Sequence, residues 1–231
     1  MPEMSKPILY SFRRCPYAMR ARMALVASEQ QVELREILLR DKPAHMVDVS
    51  PKATVPVLIL DENQVLEESL DIMLWTLRHN DPESWLNPEL CSLSEMLALI
   101  HEMDGDFKHH LDHYKYSSRH AGAEDDPQVY AEQHRAAAMD ILLQLEARLK
   151  EWPFLFGSRI SLADVAIAPF VRQFANTDID WFSRQPAPKL QAWLQAFLQA
   201  PLFTSVMSKY KPWVPGGETL LFPPNSQAEP A

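Results

Sequence analysis

The chain has few glycines, and this scarcity excludes several kinds of phosphate-binding site. Only 5 of its 231 residues are glycine, and neither a G-x-G-x-x-G pattern nor a P-loop pattern occurs. Both patterns depend on glycine because the backbone must approach a phosphate group closely. The sequence therefore predicts no nucleotide-phosphate loop of either type.

The chain also lacks a set of cysteines, an excess of positive charge and a long apolar run at its start. Its two cysteines, Cys15 and Cys91, do not suggest a disulfide framework, so a cytoplasmic location is expected. The formal net charge of −9 offers no general surface for nucleic acid. The opening residues, MPEMSKPILYSF, show neither a signal-peptide pattern nor a membrane-anchor pattern. We expect no nucleic acid and no membrane among the partners.

The first 80 residues are typical of an α/β domain. Strand-like segments are PILYSF, QVELREILL, VPVLIL and QVLEES, whereas PYAMRARMALVASE and SLDIMLWTLRH have helical spacing. Ser69 stands at the start of the last segment and is predicted to be its N-cap. We expect residues 1–80 to form one domain, followed by a linker at residues 81–88.

Residues 89–231 are predicted to form a second, all-α domain, because strand patterns disappear after the linker. Amphipathic helices are predicted at residues 89–115, 127–150, 161–176 and 187–208. Ser161 and Asp164 have the S-x-x-D spacing of a capping box, to which we assign a purely structural role. Residues after about 215 are poor in apolar periodicity and are predicted to be a flexible tail.

The element order of the first domain resembles the thioredoxin fold, with C-P-Y at the first strand-to-helix turn and TVPVLI before the third strand. Over residues 7–210 the chain resembles cytosolic glutathione transferases, and among them the omega-like members. The resemblance is carried by CPYAMRAR, RDKP, KATVPVL, LEES and ISLADVAIAP. It implies a thioredoxin-like glutathione-binding domain (β-α-β-α-β-β-α) and an all-helical C-terminal domain that shapes the second-substrate pocket.

Cys15 is the candidate catalytic residue. The thiolate is the nucleophile, and an unperturbed cysteine is only about 3% ionised at pH 7. Cys15 precedes a predicted helix whose N-terminus favours negative charge, and Arg13 and Arg14 stand beside it. A stabilised thiolate is also a good leaving group from a mixed disulfide, which favours thiol exchange. Because Ala18 replaces the second cysteine of a C-x-x-C pair, an external thiol must complete the cycle.

The resemblance assigns five residues to glutathione binding. Val55 matches the position whose main chain pairs with the cysteinyl unit, a one-residue form of strand addition. Pro56 matches a proline in cis that faces the cysteine. Glu68 and Ser69 match the acid–serine pair that holds the γ-glutamyl end. Lys42 matches the lysine that meets the glycyl carboxylate.

The prediction of a second-substrate pocket is based on weaker patterns, in the segment HEMDGDFKHHLDHYKYSSRH. We predict that Phe107, Tyr114 and Tyr116 lie near the second substrate. Histidines stand at 109, 110 and 113, and a four-residue spacing places two of them on one helix face. No acidic or cysteine partner completes a ligand set, so no metal is predicted. The resemblance also implies a homodimer.

These observations favour a glutathione-dependent thiol transferase or reductase in which glutathione is the cosubstrate. Cys15 forms a mixed disulfide with glutathione, and the partner is a small disulfide or a glutathionylated substrate. One alternative is the conjugation of glutathione to an electrophile, with activation by the hydroxyl of Tyr10 or Ser11. The other is a non-enzymatic interaction protein of transferase-like fold, which the intact set of glutathione positions disfavours.

Overall fold

The computed structural model describes residues 6–61, 64–123 and 126–224, which form two compact units. Unit 1 comprises the chain up to Glu83 together with the residues from Ala200 onward. Unit 2 comprises Ser84–Gln199. Among the described residues, all of the β-strands belong to unit 1, whereas unit 2 is helical.

Unit 1 begins with a thioredoxin-like arrangement, which confirms the predicted fold class. Its elements are β1 (Ile8–Ser11), α1 (Pro16–Ala27), β2 (Val32–Glu36), α2 (Ala44–Val49), β3 (Val57–Asp61), β4 (Gln64–Leu66) and α3 (Ser69–His79). The order is therefore β-α-β-α-β-β-α, as the resemblance implied.

Strand β1 lies between β2 and β3 and is the best buried part of the sheet. It pairs parallel with β2, as a β-α-β unit allows, and antiparallel with β3, which pairs antiparallel with β4. Leu9 and Tyr10 have no exposed surface, because a central strand is covered on both faces. On one face lies a buried cluster against which Cys15 packs; its members are Tyr10, Ile37, Met46, Val55, Val57 and Ile59.

Unit 2 consists of helices connected by short segments. They are α4 (Leu93–Glu102), a π-helical turn (Met103–Phe107), α5 (Lys108–Lys115), α6 (Ser117–His120), α7 (Pro127–Glu151), α8 (Leu162–Ala175), α9 (Ile179–Ser183) and α10 (Pro188–Gln199). Within the described part of the chain, no helix has both the length and the apolar character needed to cross a membrane.

Two predicted helices have different limits in the structure. The helix expected at 89–115 begins only at Leu93, because Ser92 and Glu95 form a capping box there, and a π-helical turn interrupts it. The helix expected at 187–208 stops at Gln199. Ala200 adopts an extended conformation (φ −65°, ψ 142°) because it precedes Pro201, which opens the next helix.

The C-terminal residues belong to unit 1, which corrects the predicted extent of the second domain, residues 89–231. Helix α11 (Pro201–Ser205) packs against α1, and β5 (Leu221–Phe222) pairs antiparallel with β2. The sheet therefore has the order β4-β3-β1-β2-β5. The sequence did not reveal β5, because two residues are too few to show alternation. The predicted tail after about 215 contains β5, and its last residues, 225–231, lie outside the described residues.

Trp213 attaches the segment between α11 and β5 to the sheet. Its backbone N–H donates to the Glu36 carbonyl at 2.7 Å, and its ring stands edge-on to Tyr10 with 6.1 Å between centroids. The Arg35 guanidinium lies 4.4 Å from the centroid of the Trp213 ring, within cation–π range, and donates to the Tyr10 hydroxyl at 2.8 Å. The end of the chain is thus part of the structure around β1 and β2.

Asp164 connects three segments of unit 2 through its buried carboxylate. The Ser161 N–H donates to Oδ2 at 2.9 Å, as the predicted capping box requires, and the Ser161 hydroxyl also donates to Oδ2, at 2.7 Å. The Leu155 N–H and the Trp193 indole N–H donate to Oδ1, both at 3.0 Å. Burial raises the pKa of Asp164, while these donors act in the opposite direction. The single carboxylate, itself on α8, therefore satisfies four donors from α10 and from the segment before α8.

We expect Asp164→Ala to lower the free energy of unfolding by about 3 kcal/mol or more. The reason is that the buried N–H donors lose their acceptor, and each unsatisfied donor costs about 1–3 kcal/mol. The measurement is equilibrium unfolding in urea, followed by circular dichroism. Asp140→Ala is the matched control, because Asp140 is an exposed aspartate on α7 and should change the free energy by no more than about 0.5 kcal/mol. Equal midpoints for Asp164→Ala and wild type would show that the network adds no stability.

Candidate active site

Cys15 is the N-cap of α1 and is half-buried. Its backbone N–H donates to the Phe12 carbonyl at 3.0 Å, and its carbonyl accepts from the Met19 N–H at 2.9 Å, so the turn from β1 into α1 holds it in place. Its thiol donates to the Val55 carbonyl at a distance of 3.5 Å. The macrodipole of α1 favours negative charge at this end of the helix, and hence a thiolate at Cys15.

The Val55–Pro56 peptide bond is cis, as predicted from the resemblance. Val55 and Pro56 are buried and directly precede β3, whose first residue, Val57, pairs with Tyr10 at the end of β1. This pairing brings the residues before β3 to the same edge of the sheet as the residues after β1. Cys15 and the Val55 carbonyl meet there for that reason.

An open cavity of about 450 Å³ lies at this edge of the sheet. The residues that the sequence analysis assigned to catalysis or glutathione binding all line it: Cys15, Lys42, Val55, Pro56, Glu68 and Ser69. They come from the starts of α1 and α3 and from the segments before α2 and β3. The fold therefore brings into one cavity six residues that are spread over 55 positions of the chain.

The rim of the cavity carries charges of both signs. Lys42 is exposed, and so is Lys52, which the sequence analysis did not select. Lys52 forms an ion pair with Glu68. Glu67 also lines the cavity and accepts a hydrogen bond from the Ser50 hydroxyl at 2.5 Å. A small zwitterionic molecule finds complementary charges here, although both members of the ion pair remain accessible to water.

Ser69 is the first residue of α3 and not its N-cap, which corrects the sequence-based assignment. The N-cap is Glu68, and the buried Ser69 hydroxyl accepts a hydrogen bond from Arg20 Nε at 2.9 Å. Arg20 also lies over the Tyr17 ring, 5.1 Å from its centroid. The serine side chain is thus oriented by a buried cation of α1 instead of capping its own helix.

Arg22 places a second buried cation behind the cavity, and the sequence analysis missed it. Its guanidinium donates to the Ser11 hydroxyl at 2.5 Å and to the Arg13 carbonyl at 2.8 Å. Burial lowers the pKa of Arg22 to about 10, and Glu36 and Cys15 act to raise it. Arg22 therefore stays charged at neutral pH and interacts favourably with a thiolate. Its spacing of seven residues from Cys15, two helical turns, was the available signal.

The two arginines next to Cys15 face other partners. The Arg14 side chain is exposed and lies 5.5 Å from the centroid of the Phe12 ring. The backbone N–H of Arg13 donates to Glu36 Oε1 at 2.6 Å. Burial raises the pKa of Glu36, while Arg13 and Arg22 oppose this effect. Of these three arginines, Arg22 is the buried one that interacts electrostatically with Cys15.

Tyr10 and Ser11, the hydroxyl residues of the alternative hypothesis, are buried and are not among the residues lining the cavity. The Tyr10 hydroxyl contacts His45 Nδ1 at 2.8 Å and accepts from Arg35. Burial raises the pKa of Tyr10. The Ser11 hydroxyl accepts from Arg22. The Tyr10 hydroxyl is thus engaged with α2 and β2, and the Ser11 hydroxyl with α1.

The predicted second-substrate residues lie in unit 2 in different environments. Phe107 has no exposed surface and packs against Phe174, with 5.9 Å between ring centroids, so we correct its assignment to the hydrophobic core. Tyr114 is largely buried beside the same ring, at 5.6 Å. Tyr116 is half-buried, and the Arg119 guanidinium lies 4.8 Å from its ring centroid. The roles of Tyr114 and Tyr116 stay predictions.

The histidines of the same segment belong to a larger group. His109, His110 and His113 of α5 lie close to His120 of α6 and to His134 of α7. The sequence pattern revealed only the first three, because the other two are brought near by the packing of separate helices. This group is distinct from the residues that line the cavity at Cys15.

Two family models match the chain, one in each unit. The model described as "Glutathione S-transferase, N-terminal domain" matches residues 9–85, and the one described as "Glutathione S-transferase, C-terminal domain" matches residues 127–196. Together they cover more than half of the chain. The first match includes all six predicted residues of the cavity at Cys15.

Curated relatives carry the same family name at moderate identity. Glutathione S-transferase DHAR2 of Arabidopsis thaliana is 26% identical over 157 residues, which are 67% of this chain and 64% of that relative, just under two thirds of its length. Glutathione S-transferase omega-1 of Mus musculus is 26% identical over 198 residues, which are 85% of this chain and 78% of that relative.

Solved structures share the fold. A glutathione transferase family member from Pseudomonas fluorescens, solved with two glutathione bound, has a TM-score of 0.75 at 18% identity and covers 89% of this chain and 95% of that chain. Glutathione transferase Omega 3C from Trametes versicolor has a TM-score of 0.73 at 18% identity, covering 91% and 87%. This likeness concerns the fold, and the two family models show the family: the chain belongs to the glutathione S-transferase superfamily.

Proposed function

We propose that this protein is a glutathione-dependent thiol transferase or reductase of the omega-like kind, with Cys15 as its reacting thiol. The observation that carries the proposal is the half-buried Cys15 at the N-terminus of α1, in a cavity lined by every residue expected to hold glutathione. Glutathione is the cosubstrate, and the reaction itself uses no metal.

The reaction consists of two thiol–disulfide exchanges. The Cys15 thiolate attacks the glutathionyl sulfur of a mixed disulfide between glutathione and a substrate thiol, forming the Cys15–glutathione disulfide and releasing the substrate as a thiolate. A second glutathione thiolate then attacks the glutathionyl sulfur, which regenerates the Cys15 thiolate and yields oxidised glutathione. The helix N-terminus and the buried charge of Arg22 favour the thiolate that attacks in the first step and leaves in the second.

The chain supports a monothiol cycle because no second cysteine stands on α1. Ala18 occupies the position of the resolving cysteine and is fully buried. Cys91 lies in unit 2, just before the N-cap of α4, and burial raises the pKa of its thiol. An external thiol therefore has to resolve the mixed disulfide, and glutathione supplies it.

The charges of the cavity suit the two ends of glutathione. Ser69, with Arg20 behind it, suits the γ-glutamyl carboxylate, and Glu68 suits the ammonium group. Lys42 suits the glycyl carboxylate. When the ammonium group binds Glu68, it replaces the exposed Lys52 ion pair, which costs little because surface ion pairs contribute only about 0–1 kcal/mol.

Four further proposals concern the location, the oligomeric state, the second substrate and its contacts; they rest on superfamily membership and on the low cysteine content. The protein is a cytoplasmic homodimer, and its second substrate is a small disulfide, an electrophile or a glutathionylated molecule. Tyr114 and Tyr116 are proposed to lie near that substrate. Light scattering on the purified protein distinguishes a 26.5 kDa monomer from a species of twice that mass.

We expect wild-type protein exposed to oxidised glutathione to gain one glutathionyl group, which reduced glutathione removes. Cys15→Ala should gain none, because the reacting thiol is absent. Cys91→Ala is the matched control and should gain the group as wild type does. The measurement is intact-protein mass spectrometry, with circular dichroism to show that each variant is folded.

The other outcomes of this experiment separate the hypotheses. An adduct that forms on Cys15→Ala but not on Cys91→Ala would show that Cys91 is the exchanging thiol. The absence of an adduct on all three proteins would contradict thiol exchange and favour conjugation. Conjugation assays on Tyr10→Phe and Ser11→Ala would then identify the activating hydroxyl. If neither activity is found and glutathione at millimolar concentration does not bind, the non-enzymatic alternative is favoured.

We expect Lys42→Ala to raise the KM for glutathione about 3- to 10-fold with little change in kcat. The lysine is exposed, so its contact with a carboxylate is worth only about 1 kcal/mol, and the contact is the same in the ground state and in the transition state. The measurement is steady-state kinetics at low and high salt, since screening should shrink the difference. Lys189→Ala, which removes an exposed lysine of unit 2, is the control and should leave KM unchanged. An unchanged KM in Lys42→Ala would show that Lys42 does not contribute to glutathione binding.

A further inference from the structure

Unit 2 contains a group of imidazoles that the proposed reaction does not use. Five of the 8 histidines of the chain lie together on α5, α6 and α7; we call His109, His110, His113, His120 and His134 the histidine cluster. Its rings are in close contact: those of His109 and His113 have centroids 4.1 Å apart, and those of His113 and His120 are stacked at 4.1 Å. Such a concentration of one ligand type on a protein surface needs a physical explanation.

Packing of α5 against α7 creates the central part of the cluster. His110 and His134 meet with their Nδ1 atoms 2.8 Å apart. His109 contributes a third ring nitrogen, and the ligand atoms of His109, His110 and His134 all lie within 4.8 Å of one another. His109 is exposed, and the other two are half-buried, so an ion can reach the group from solvent.

We propose that His109, His110 and His134 form a binding site for a divalent transition-metal ion, Zn²⁺ or a neighbour of similar ligand preference. The proposal goes beyond the glutathione chemistry and does not depend on it. The sequence pattern predicted no metal because it lacked a ligand that completes the set on α5; the structure supplies His134 from α7.

The ligand chemistry agrees with this class of ion. Neutral imidazole is a preferred ligand of Zn²⁺, Cu²⁺ and Ni²⁺, whereas Mg²⁺ and Ca²⁺ require oxygen ligands. Zn–N bonds of about 2.0–2.1 Å place the nitrogens of a tetrahedral site about 3.3 Å apart. The most widely separated nitrogens therefore have to approach by at most about 1.5 Å, which rotation of the partly exposed rings allows. Three histidines leave a fourth position for water or for His113.

The crowding of the imidazoles also affects their titration. Burial, together with the neighbouring histidines, lowers the pKa of His110 and His134. The pKa of His113 is also lowered by burial and by neighbouring histidines. Its Nδ1 contacts the Tyr130 hydroxyl. Two nearby carboxylates act in the opposite direction, Asp106 on His110 and Asp112 on His113.

The test uses the full chain without an affinity tag, with Cys15→Ser and Cys91→Ser so that thiols do not bind the metal. Isothermal titration calorimetry with ZnCl₂ at pH 7.5 should give one Zn²⁺ per chain. His134→Gln and His110→Gln should each weaken binding at least about 10-fold, because each removes one ligand. His101→Gln is the matched control, since His101 is an exposed histidine of unit 2 outside the cluster, and it should bind as the parent does.

Acid should release the ion. Protons compete with the metal for the same nitrogens, and the unperturbed pKa of histidine is about 6.5. Affinity should therefore fall by about 10-fold or more between pH 7.5 and pH 5.5. The melting temperature of the parent should rise with added Zn²⁺ at pH 7.5, because the ion binds only the folded site, and that rise should be lost in His134→Gln.

Two results would overturn the proposal. One is the absence of saturable binding up to about 100 µM Zn²⁺. The other is binding that is equal in the parent, His134→Gln and His110→Gln while each protein is folded by circular dichroism, which would place any bound ion elsewhere on the chain.

Discussion

The antiparallel pairing of β1 with β3 is the constraint on which the candidate active site depends. The register places Tyr10 opposite Val57, so the residues that leave β1 and those that enter β3 meet at one edge of the sheet. Cys15 follows β1 by four residues, and Val55 precedes β3 by two. A shift of one residue in this register would reverse the faces of β3 and separate the thiol from the Val55 carbonyl. Such a shift is costly because Leu9 and Tyr10 are buried at the centre of the sheet, so the side chains packed around them would have to repack.

Helix α1 contributes two buried positive charges near the candidate active site. Arg20 and Arg22 are both buried; Arg20 holds a residue of the cavity wall, and Arg22 holds the turn that leads to Cys15. Arg20 orients Ser69 on α3, while Arg22 connects Ser11 at the end of β1 to the Arg13 carbonyl in the turn. Burial of a guanidinium costs several kcal/mol unless hydrogen bonds and opposite charges compensate. The nearby Glu36, and a thiolate at Cys15, provide that compensation for Arg22.

The sequence predicted the fold class through its element order, and the resemblance of its short motifs to the family predicted the residues that gather at Cys15. C-P-Y at a strand-to-helix turn and T-V-P before a strand are local patterns. The cis peptide bond at Pro56 was predicted because these patterns resemble those of the thioredoxin fold. Other contacts were not predictable in this way, since they join segments far apart in the chain. Lys52 meets Glu68, and His134 meets His110, only after separate elements have packed. Ser69 was misread as a cap because its partner, Arg20, lies 49 residues away.

Unit 1 is discontinuous, and this has a consequence for how the chain acquires its structure during synthesis. The strand β2 is an edge strand until β5 pairs with it, and Trp213 reaches Glu36, Tyr10 and Arg35 only after unit 2 has been translated. In the sequence, unit 2 is continuous and stands between the two segments of unit 1. It is therefore fully translated before unit 1 is. The domain that is translated first is therefore finished last, and an unpaired strand edge remains exposed on the nascent chain while unit 2 is being made.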